Sequence, residues 1–358
     1  MITLKCLNKK DLEEFVLSET YQSFDFLPIT KHRALSQIKN PNATEDDILL
    51  TIALQEGKLA GYLGTFPDQL TVESNKIKFA WLSTLYVSEN FRGKKIAQQL
   101  LSKVFEKYND KIAITEFTKE AESLYNKTQK FDYIIPKTGK RYYFRTNFEE
   151  LLPLKKPSLS ALKPVFKSID FSTDLFLKAV NTINKPKKIN FEIAELVDEE
   201  SAKFIEQFHH YRDGGEINMI VKNPWVLQEH QANPDYIFSS YAKEFNYFWI
   251  KIYDHEKNLK TCALLQLRDQ HLKIPYLFSE NKLENFKEFL HYFIKEKNIK
   301  TLTSFDENLN EALISKNSFG IYSKNFERRY LFHKELLADL PKNFNPKFQD
   351  GDGDPIFT

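Results

Sequence analysis

The stretch Trp81-Leu-Ser-Thr-Leu-Tyr-Val-Ser-Glu-Asn-Phe-Arg-Gly-Lys-Lys-Ile-Ala-Gln-Gln-Leu-Leu101 carries the most chemical information in this chain. A run of β-branched and aromatic residues passes into a polar turn holding Arg92-Gly93. Beyond it Ile96, Leu100, Leu101, Val104, Phe105 and Tyr108 recur at spacings of three and four, one face of a helix. A helix that opens there points unpaired backbone N–H groups, and the positive end of its dipole, at one place where a phosphate is stabilised. Gly93 lets the backbone approach an anion closely, and Arg92, Lys94 and Lys95 add positive charge. By itself, Arg-Gly before a helix is equally consistent with a solvated helix start.

Downstream, Ala121-Glu-Ser-Leu-Tyr-Asn-Lys-Thr-Gln-Lys-Phe131 places Tyr125 on a further helix. A phenol with a pKa of about 10 is protonated at neutral pH and can protonate a leaving group. The plain alternative is a helix tyrosine with its ring in the core. Asp350-Gly-Asp-Gly-Asp354 is like the start of a calcium loop, but Pro355 replaces the required glycine and no distal glutamate follows. It reads as a polar turn, and no metal is expected. His209 and His210 are adjacent, unlike metal ligands at i and i+4. Tyr247, Phe248 and Trp249 read as strand core or interface rather than a base-stacking platform.

The elements that must hold these residues are legible from periodicity. Ile2 to Leu7 reads as a strand, and Lys9 to Ser18 and Thr30 to Lys39 as helices, the second capped by Thr30; the loop between them, Tyr21 to Phe26, is aromatic. Ile48 to Gln55, Lys58 to Pro67 and Ile77 to Val87 read as strands joined by turns at Glu56-Gly57 and Glu73 to Asn75. After the helix from Ile96 come a strand at Lys111 to Phe117 and a helix at Lys119 to Gln129, so residues 1–150 form an α/β domain with a mixed sheet.

Residues 151–188 read as a linker with a helix inside it, marked by Leu-Pro-Leu-Lys-Lys-Pro and Asn-Lys-Pro-Lys-Lys. From Ile189 the pattern restarts: a strand to Val197, helices at Asp198 to Tyr211 and around Asn223 to Gln231, and strands at Tyr247 to Tyr253, Thr261 to Leu267 and Leu272 to Phe278. A helix at Leu283 to Lys297, a strand at Thr301 to Phe305, a helix at Glu307 to Ser315 and strands at Phe319 to Ser323 and Arg329 to His333 follow. The order of elements matches the first half, which implies two copies of one fold, the second spanning 189–358.

The bulk numbers exclude several classes. Fifty-one basic against forty-nine acidic residues leave a net charge of +2, which provides no general field for nucleic acid or an anionic membrane. Two cysteines in 358 residues call for no disulfide framework. The N-terminus has no secretory apolar region and no stretch reaches the roughly 20 apolar residues that span a bilayer, so a cytoplasmic protein is expected.

The phosphate segment resembles the pyrophosphate-binding motif of the GNAT acetyltransferases, Gln/Arg-x-x-Gly-x-Gly/Ala, which here reads Arg92-Gly93-Lys94-Lys95-Ile96-Ala97. Lys95 stands where the family has glycine. The run from Ala121 to Phe131 is similar to the family's Ala-x-x-Leu-Tyr-x-x-x-Gly-Phe, with one residue more before the phenylalanine, and Thr118 stands in the place of a CoA-contacting asparagine. The resemblance covers about the first 150 residues. It implies the GNAT acyl-CoA N-acyltransferase fold and acetyl-CoA as co-substrate. By the same resemblance, Leu85, Tyr86 and Val87 lie along the pantetheine arm, and Arg92, Gly93, Lys94, Lys95, Ile96, Ala97 and Gln98 hold the pyrophosphate. Tyr125 is then the acid that protonates the leaving thiolate.

The second copy has no phosphate turn, since Pro275-Tyr-Leu-Phe-Ser-Glu-Asn-Lys-Leu-Glu284 contains no glycine and carries two glutamates. The expected reaction is direct attack by a primary amine, of a small molecule or a peptide, on acetyl-CoA. No carboxylate stands on the strand before the phosphate turn, where Ser83 and Thr84 are found. The acidic tail Asp350 to Thr358, with Ile356 and Phe357 to anchor it, is a candidate source of the base. Tyr21, Phe24 and Phe26 are the expected acceptor-binding residues, facing the second domain. Two other readings fit the same residues: a non-catalytic acyl-CoA-binding module, and an aminoacyl transferase of the Fem type. Oligomeric state is not encoded in any of these features.

Overall fold

The computed structural model describes residues 1–72, 75–146, 148–183, 189–208, 212–229, 233–280, 283–314, 319–342, 344 and 347–357. Strand β1 (Ile2–Leu7) leads into α1 (Lys9–Leu17), which opens on a capping box between Asn8 and Asp11. Ser18 and Thr30 cap α2 (Glu19–Gln22) and α3 (Lys31–Ile38), each hydroxyl accepting a backbone amide of the first turn. Strands β2 (Leu50–Gln55) and β3 (Lys58–Val72) are joined at Glu56 and Gly57, both at positive φ, as a tight hairpin requires. Then come β4 (Asn75–Val87), α4 (Ile96–Lys107), β5 (Ile112–Ile114), α5 (Lys119–Thr128) and β6 (Phe131–Tyr143).

Two helices, α6 (Phe148–Lys155) and α7 (Lys163–Ile183), occupy the expected linker. The chain continues through β7 (Asn190–Ala194), α8 (Glu199–Glu206), α9 (Gly214–Lys222), β8 (Leu227–Gln228), β9 (Tyr241–Ala242), β10 (Phe245–Tyr253), β11 (Leu259–Arg268) and β12 (His271–Ser279). It ends with α10 (Glu284–Glu296), β13 (Thr301–Ser304), α11 (Glu307–Ile314), β14 (Tyr322–His333) and α12 (Lys334–Ala338). No helix among the described residues is long and apolar enough to cross a membrane.

The chain forms two compact units that interleave in sequence. The first holds Met1–Lys137, Leu196–Phe245 and Glu327–Thr358; the second holds Thr138–Glu195 and Asn246–Phe326. In the first, the strand order is β1-β2-β3-β4-β5-β14, with β4 and β5 parallel and β5 antiparallel to β14. In the second it is β7-β10-β11-β12-β13-β6, with β12 and β13 parallel and β13 antiparallel to β6. Each unit thus follows its fourth strand with a helix, a parallel fifth strand and a second helix. Its last strand is drawn from the other half of the chain. The repeat expected from element order is therefore present in topology.

The contiguous ranges 1–150 and 189–358 differ from these units because the last strands are exchanged and because Leu196–Phe245 belongs to the first unit. Leu331 of β14 belongs to the apolar core that also holds Ile112, Ile114 and Leu100. On β2 and β3 alternate residues face opposite ways: Ala53, Ala60 and Leu63 pack with α4, while Ile52, Leu59 and Tyr62 pack with α1 and α3.

Three sequence expectations are corrected. The helix placed around Asn223 to Gln231 lies earlier, at α9, because Asp213 and Glu216 form a capping box that fixes its start. Asn223-Pro224 then ends it. Of the strand placed at Phe319 to Ser323 only Tyr322 and Ser323 are extended, and they run on into Arg329 to His333 as one strand, β14; β6 was not anticipated. Glu73, Ser74, His209 and His210 lie outside the described residues.

Candidate active site

Strand β4 gives way to a short 3-10 turn at Glu89–Phe91, and α4 begins at Ile96. Gly93 sits at φ +82°, and Lys95, the residue before the helix, at φ +57°. No side chain caps α4, so the first-turn amides of Ile96, Ala97 and Gln98 are left for another acceptor. The left-handed backbone at Lys95 accounts for the glycine of the GNAT-like pattern: glycine takes that conformation freely, and lysine takes it here at a cost of about 1 kcal/mol. The cations are exposed and loosely held. Arg92 pairs with Glu89 at 3.1 Å on the surface, and Lys94 Nζ donates to Gln55 Oε1 at 2.8 Å. Exposed pairs of this kind are worth at most about 1 kcal/mol, so a phosphate competes easily.

The strand leading to that turn is bent open. Leu63 pairs with Leu85 and Gly64 with Ser83, which leaves Thr84 as an extra residue on β4, at φ +57°. Glycine is required opposite: a Cβ on Gly64 would lie 2.5 Å from the Ser83 carbonyl oxygen. On its other edge β4 pairs with β5 only at Ala80 with Ile112 and Trp81 with Ala113. Beyond Trp81 the two strands part, and Leu85, Tyr86 and Val87 lie partly exposed past the opening. A V-shaped gap between parallel strands, with unpaired backbone groups on its rim, receives an extended, amide-bearing chain.

The C-terminal tail lies against the mouth of that gap. Asp354 Oδ2 accepts from Ser83 Oγ of β4 at 2.6 Å, and Asp354 Oδ1 accepts from Thr115 Oγ1, just past β5, at 3.2 Å. Gly353, at φ +99°, lets the tail pass Thr115, since a Cβ there would lie 2.6 Å from Thr115 Cγ2. Behind Ser83, Arg33 is 3% exposed; its Nη2 donates to Ser83 Oγ at 2.6 Å and its Nη1 to Tyr236 OH at 2.9 Å. The Arg33 guanidinium also lies 3.8 Å from the Trp225 ring centre. Desolvation raises the Asp354 carboxyl above the usual carboxylate range, against the lowering effects of Ser83, Arg33 and Thr115.

Each aspartate of the Asp-Gly-Asp-Gly-Asp run therefore has its own protein partner. Asp350 Oδ1 pairs with Arg328 Nη1 at 2.6 Å, and Asp352 Oδ1 lies 3.7 Å from Arg212 Nε. Phe357 stacks on Trp225 at 4.5 Å and meets Phe66 edge-on. Ile356 and Phe357 are buried, as their anchoring role required. Thr358 lies outside the described residues.

Tyr125 is buried in the core with Phe131 and Phe117, and burial, then the Asp354 charge, raise its phenol above the usual range. That coupling places it within electrostatic reach of the tail carboxylate. Of the loop aromatics, Tyr21 is a core residue whose hydroxyl donates to the Ile29 carbonyl at 2.9 Å. Phe24 and Phe26 remain partly exposed, and Phe26 joins Tyr62, Tyr86 and Phe238 in a ring cluster with centroids 5.4 to 6.3 Å apart. Phe238, Tyr236 and Trp225 come from the second half of the chain but lie in this unit. Sequence reading missed Arg33, Thr115 and Tyr236, because nothing in their local pattern signals a long-range network.

The profile described as Acetyltransferase (GNAT) family matches residues 13–131. No curated protein matches the chain at a significant level. Among solved structures, a GCN5-related N-acetyltransferase from Kribbella flavida superposes with TM-score 0.52 at 11% identity, covering 94% of this chain and 73% of that one. A conserved protein of unknown function from Enterococcus faecalis, titled a probable N-acyltransferase, gives the same values. A GCN5-related N-acetyltransferase from Anabaena variabilis gives TM-score 0.50 at 11% identity, over 93% and 72%. At that identity the likeness is one of fold, and the profile supplies the family. Residues 13–131 thus match the GNAT acetyltransferase family, and the chain carries a GNAT fold.

Proposed function

We propose that this enzyme transfers an acetyl group from acetyl-CoA to a primary amine, of a small molecule or a peptide, by direct attack in a ternary complex. The observation that carries the reading is the pairing of an uncapped helix start, reached through Gly93 and Lys95 at positive φ, with the bulged and splayed β4. The amides from Gly93 to Gln98 hold the pyrophosphate, with Arg92, Lys94 and Lys95 supplying charge. Leu85, Tyr86 and Val87 flank the pantetheine arm, so the thioester falls near Thr84. Tyr125 protonates the leaving sulfur. Phe24 and Phe26, with Tyr86 and Phe238, wall the acceptor side, where ring faces favour an ammonium group.

The second unit is proposed as a copy that binds no CoA. It keeps the topology and a bulge on β12, but Glu280 and Glu284 flank the start of its central helix, where they repel phosphate. The near-neutral charge favours an amine acceptor over nucleic acid, and the cytoplasm, where acetyl-CoA is available, is the proposed place of action.

Thiol release from acetyl-CoA, measured with a tripeptide, lysine, spermidine and tyramine, tests the reading. At least one amine is expected to accelerate release tenfold or more over hydrolysis. Acetyl-CoA that binds without acceleration by any amine would favour a non-catalytic acyl-CoA module instead.

A further inference from the structure

We infer that Asp354 is the proton acceptor for the attacking amine, with Ser83 and Arg33 as the positioning residues that hold its carboxylate at the mouth of the gap between β4 and β5. The inference rests on the acyl-transfer reading above and names the base that β4 itself lacks, since Ser83 and Thr84 occupy its site-facing stretch.

The geometry orders the protons. Arg33 Nη2 has no proton acceptor to offer and must donate to Ser83 Oγ, so the Ser83 hydroxyl hydrogen is left to point at Asp354 Oδ2. Thr115 fixes the other oxygen. Ser83 and Thr115 are buried, whereas Asp354 is partly exposed, and its two oxygens meet one hydroxyl from each side of the gap. The charged groups that act on Asp354 are Arg33, which favours its ionised form, and Glu116, which opposes it; Tyr125 is coupled to it from α5. The balance leaves a carboxyl raised from the ordinary range, the direction that suits a base working near neutrality. Among the described residues Arg33 has no carboxylate in direct contact; its charge reaches Asp354 through Ser83.

Asp354 takes one proton from the acceptor ammonium. The neutral nitrogen attacks the thioester carbonyl carbon and forms the C–N bond. As the C–S bond breaks, the sulfur takes the Tyr125 phenolic proton, and the remaining extra proton on nitrogen returns to Tyr125. Asp354 releases its proton to water, leaving the amide, free CoA thiol and one proton.

The test is the pH dependence of kcat/KM for acetyl transfer to the best amine of the panel, in wild type, Asp354→Asn, Ser83→Ala and Arg33→Met, with acetyl-CoA affinity and circular dichroism measured on each. Asp354→Asn is expected to lower kcat/KM by about 10²-fold or more and to remove the acid limb, with acetyl-CoA affinity retained. Ser83→Ala and Arg33→Met each remove a partner that favours the carboxylate. The acid limb is therefore expected to move to higher pH, by about one unit. Asp354→Glu should recover part of the rate. A wild-type profile in Asp354→Asn, or a loss of stability in all variants with the acid limb unmoved in Ser83→Ala and Arg33→Met, would reduce Asp354 to a clasp and overturn the proposal. If wild type itself binds acetyl-CoA but acetylates no amine, the acyl-transfer reading fails and this inference falls with it.

Discussion

Arg212→Ala is expected to destabilise the first unit by about 3–5 kcal/mol. Arg212 is 3% exposed, and its Nη1 and Nη2 donate to Asp68 Oδ1 and Oδ2 at 3.0 and 2.5 Å. The same guanidinium reaches Glu216 at 3.1 Å and Asp352 at 3.7 Å. Removing it strands carboxylates that are out of water. Trp81 Nε1, which donates to Asp68 at 2.8 Å, would be left as one of the few groups still satisfying that carboxylate. The pH dependence gives the loss a signature. Burial lifts the Asp352 carboxyl to about 7, outweighing the opposing pull of Arg212. A carboxyl raised in the folded state costs stability as pH rises from its unfolded value, about 4, through its folded value, so the penalty is complete above neutrality. Without Arg212 the penalty grows, and urea unfolding should show a larger gap between wild type and variant at pH 8 than at pH 5. A gap that is equal at both pH values, or below about 1 kcal/mol, would show that the cluster is not electrostatically closed in this way.

Tyr125→Phe is expected to lower kcat by about 10²-fold and to leave acetyl-CoA affinity within twofold of wild type. The substitution keeps the ring that packs on Phe131 and removes only the hydroxyl. Burial and the Asp354 charge both favour the protonated phenol, so no basic limb below about pH 10 should arise from it in wild type. Single-turnover rates with acetyl-CoA and the best amine measure the chemical step even where product release limits turnover. An unchanged single-turnover rate would leave Tyr125 as a core residue.

Most of the fold was legible because its elements are locally consistent. Ser18, Thr30 and Asn8 cap the helices they precede, and the alternation on β2 and β3 survives into opposite packing faces. Strand exchange was not legible. A strand such as Arg329 to His333 has the same alternation whichever sheet receives it, and only the long-range pairing of Leu331 with Ile114 decides. The phosphate turn was legible from Gly93 and the helix period, and the structure adds that Lys95 keeps the positive φ for which glycine is the usual residue. The tail was legible as acidic and anchored, but its three aspartates carry no sign of their separate partners. Ser83, Arg212 and Arg328 each lie 20 or more residues from them in sequence.

Acetyl-CoA binding, measured by thermal unfolding and calorimetry on wild type and Gly93→Val, decides whether the start of α4 holds the pyrophosphate. Valine at φ +82° forces the turn to rearrange, while nothing lies within 4 Å of the added Cβ to disturb packing elsewhere. Wild type is expected to gain about 2.7 kcal/mol of stability at a concentration 100 times the dissociation constant. Gly93→Val should fold but bind at least tenfold more weakly. Equal stabilisation of both proteins by acetyl-CoA, or none of wild type, would contradict a pyrophosphate site at the start of α4.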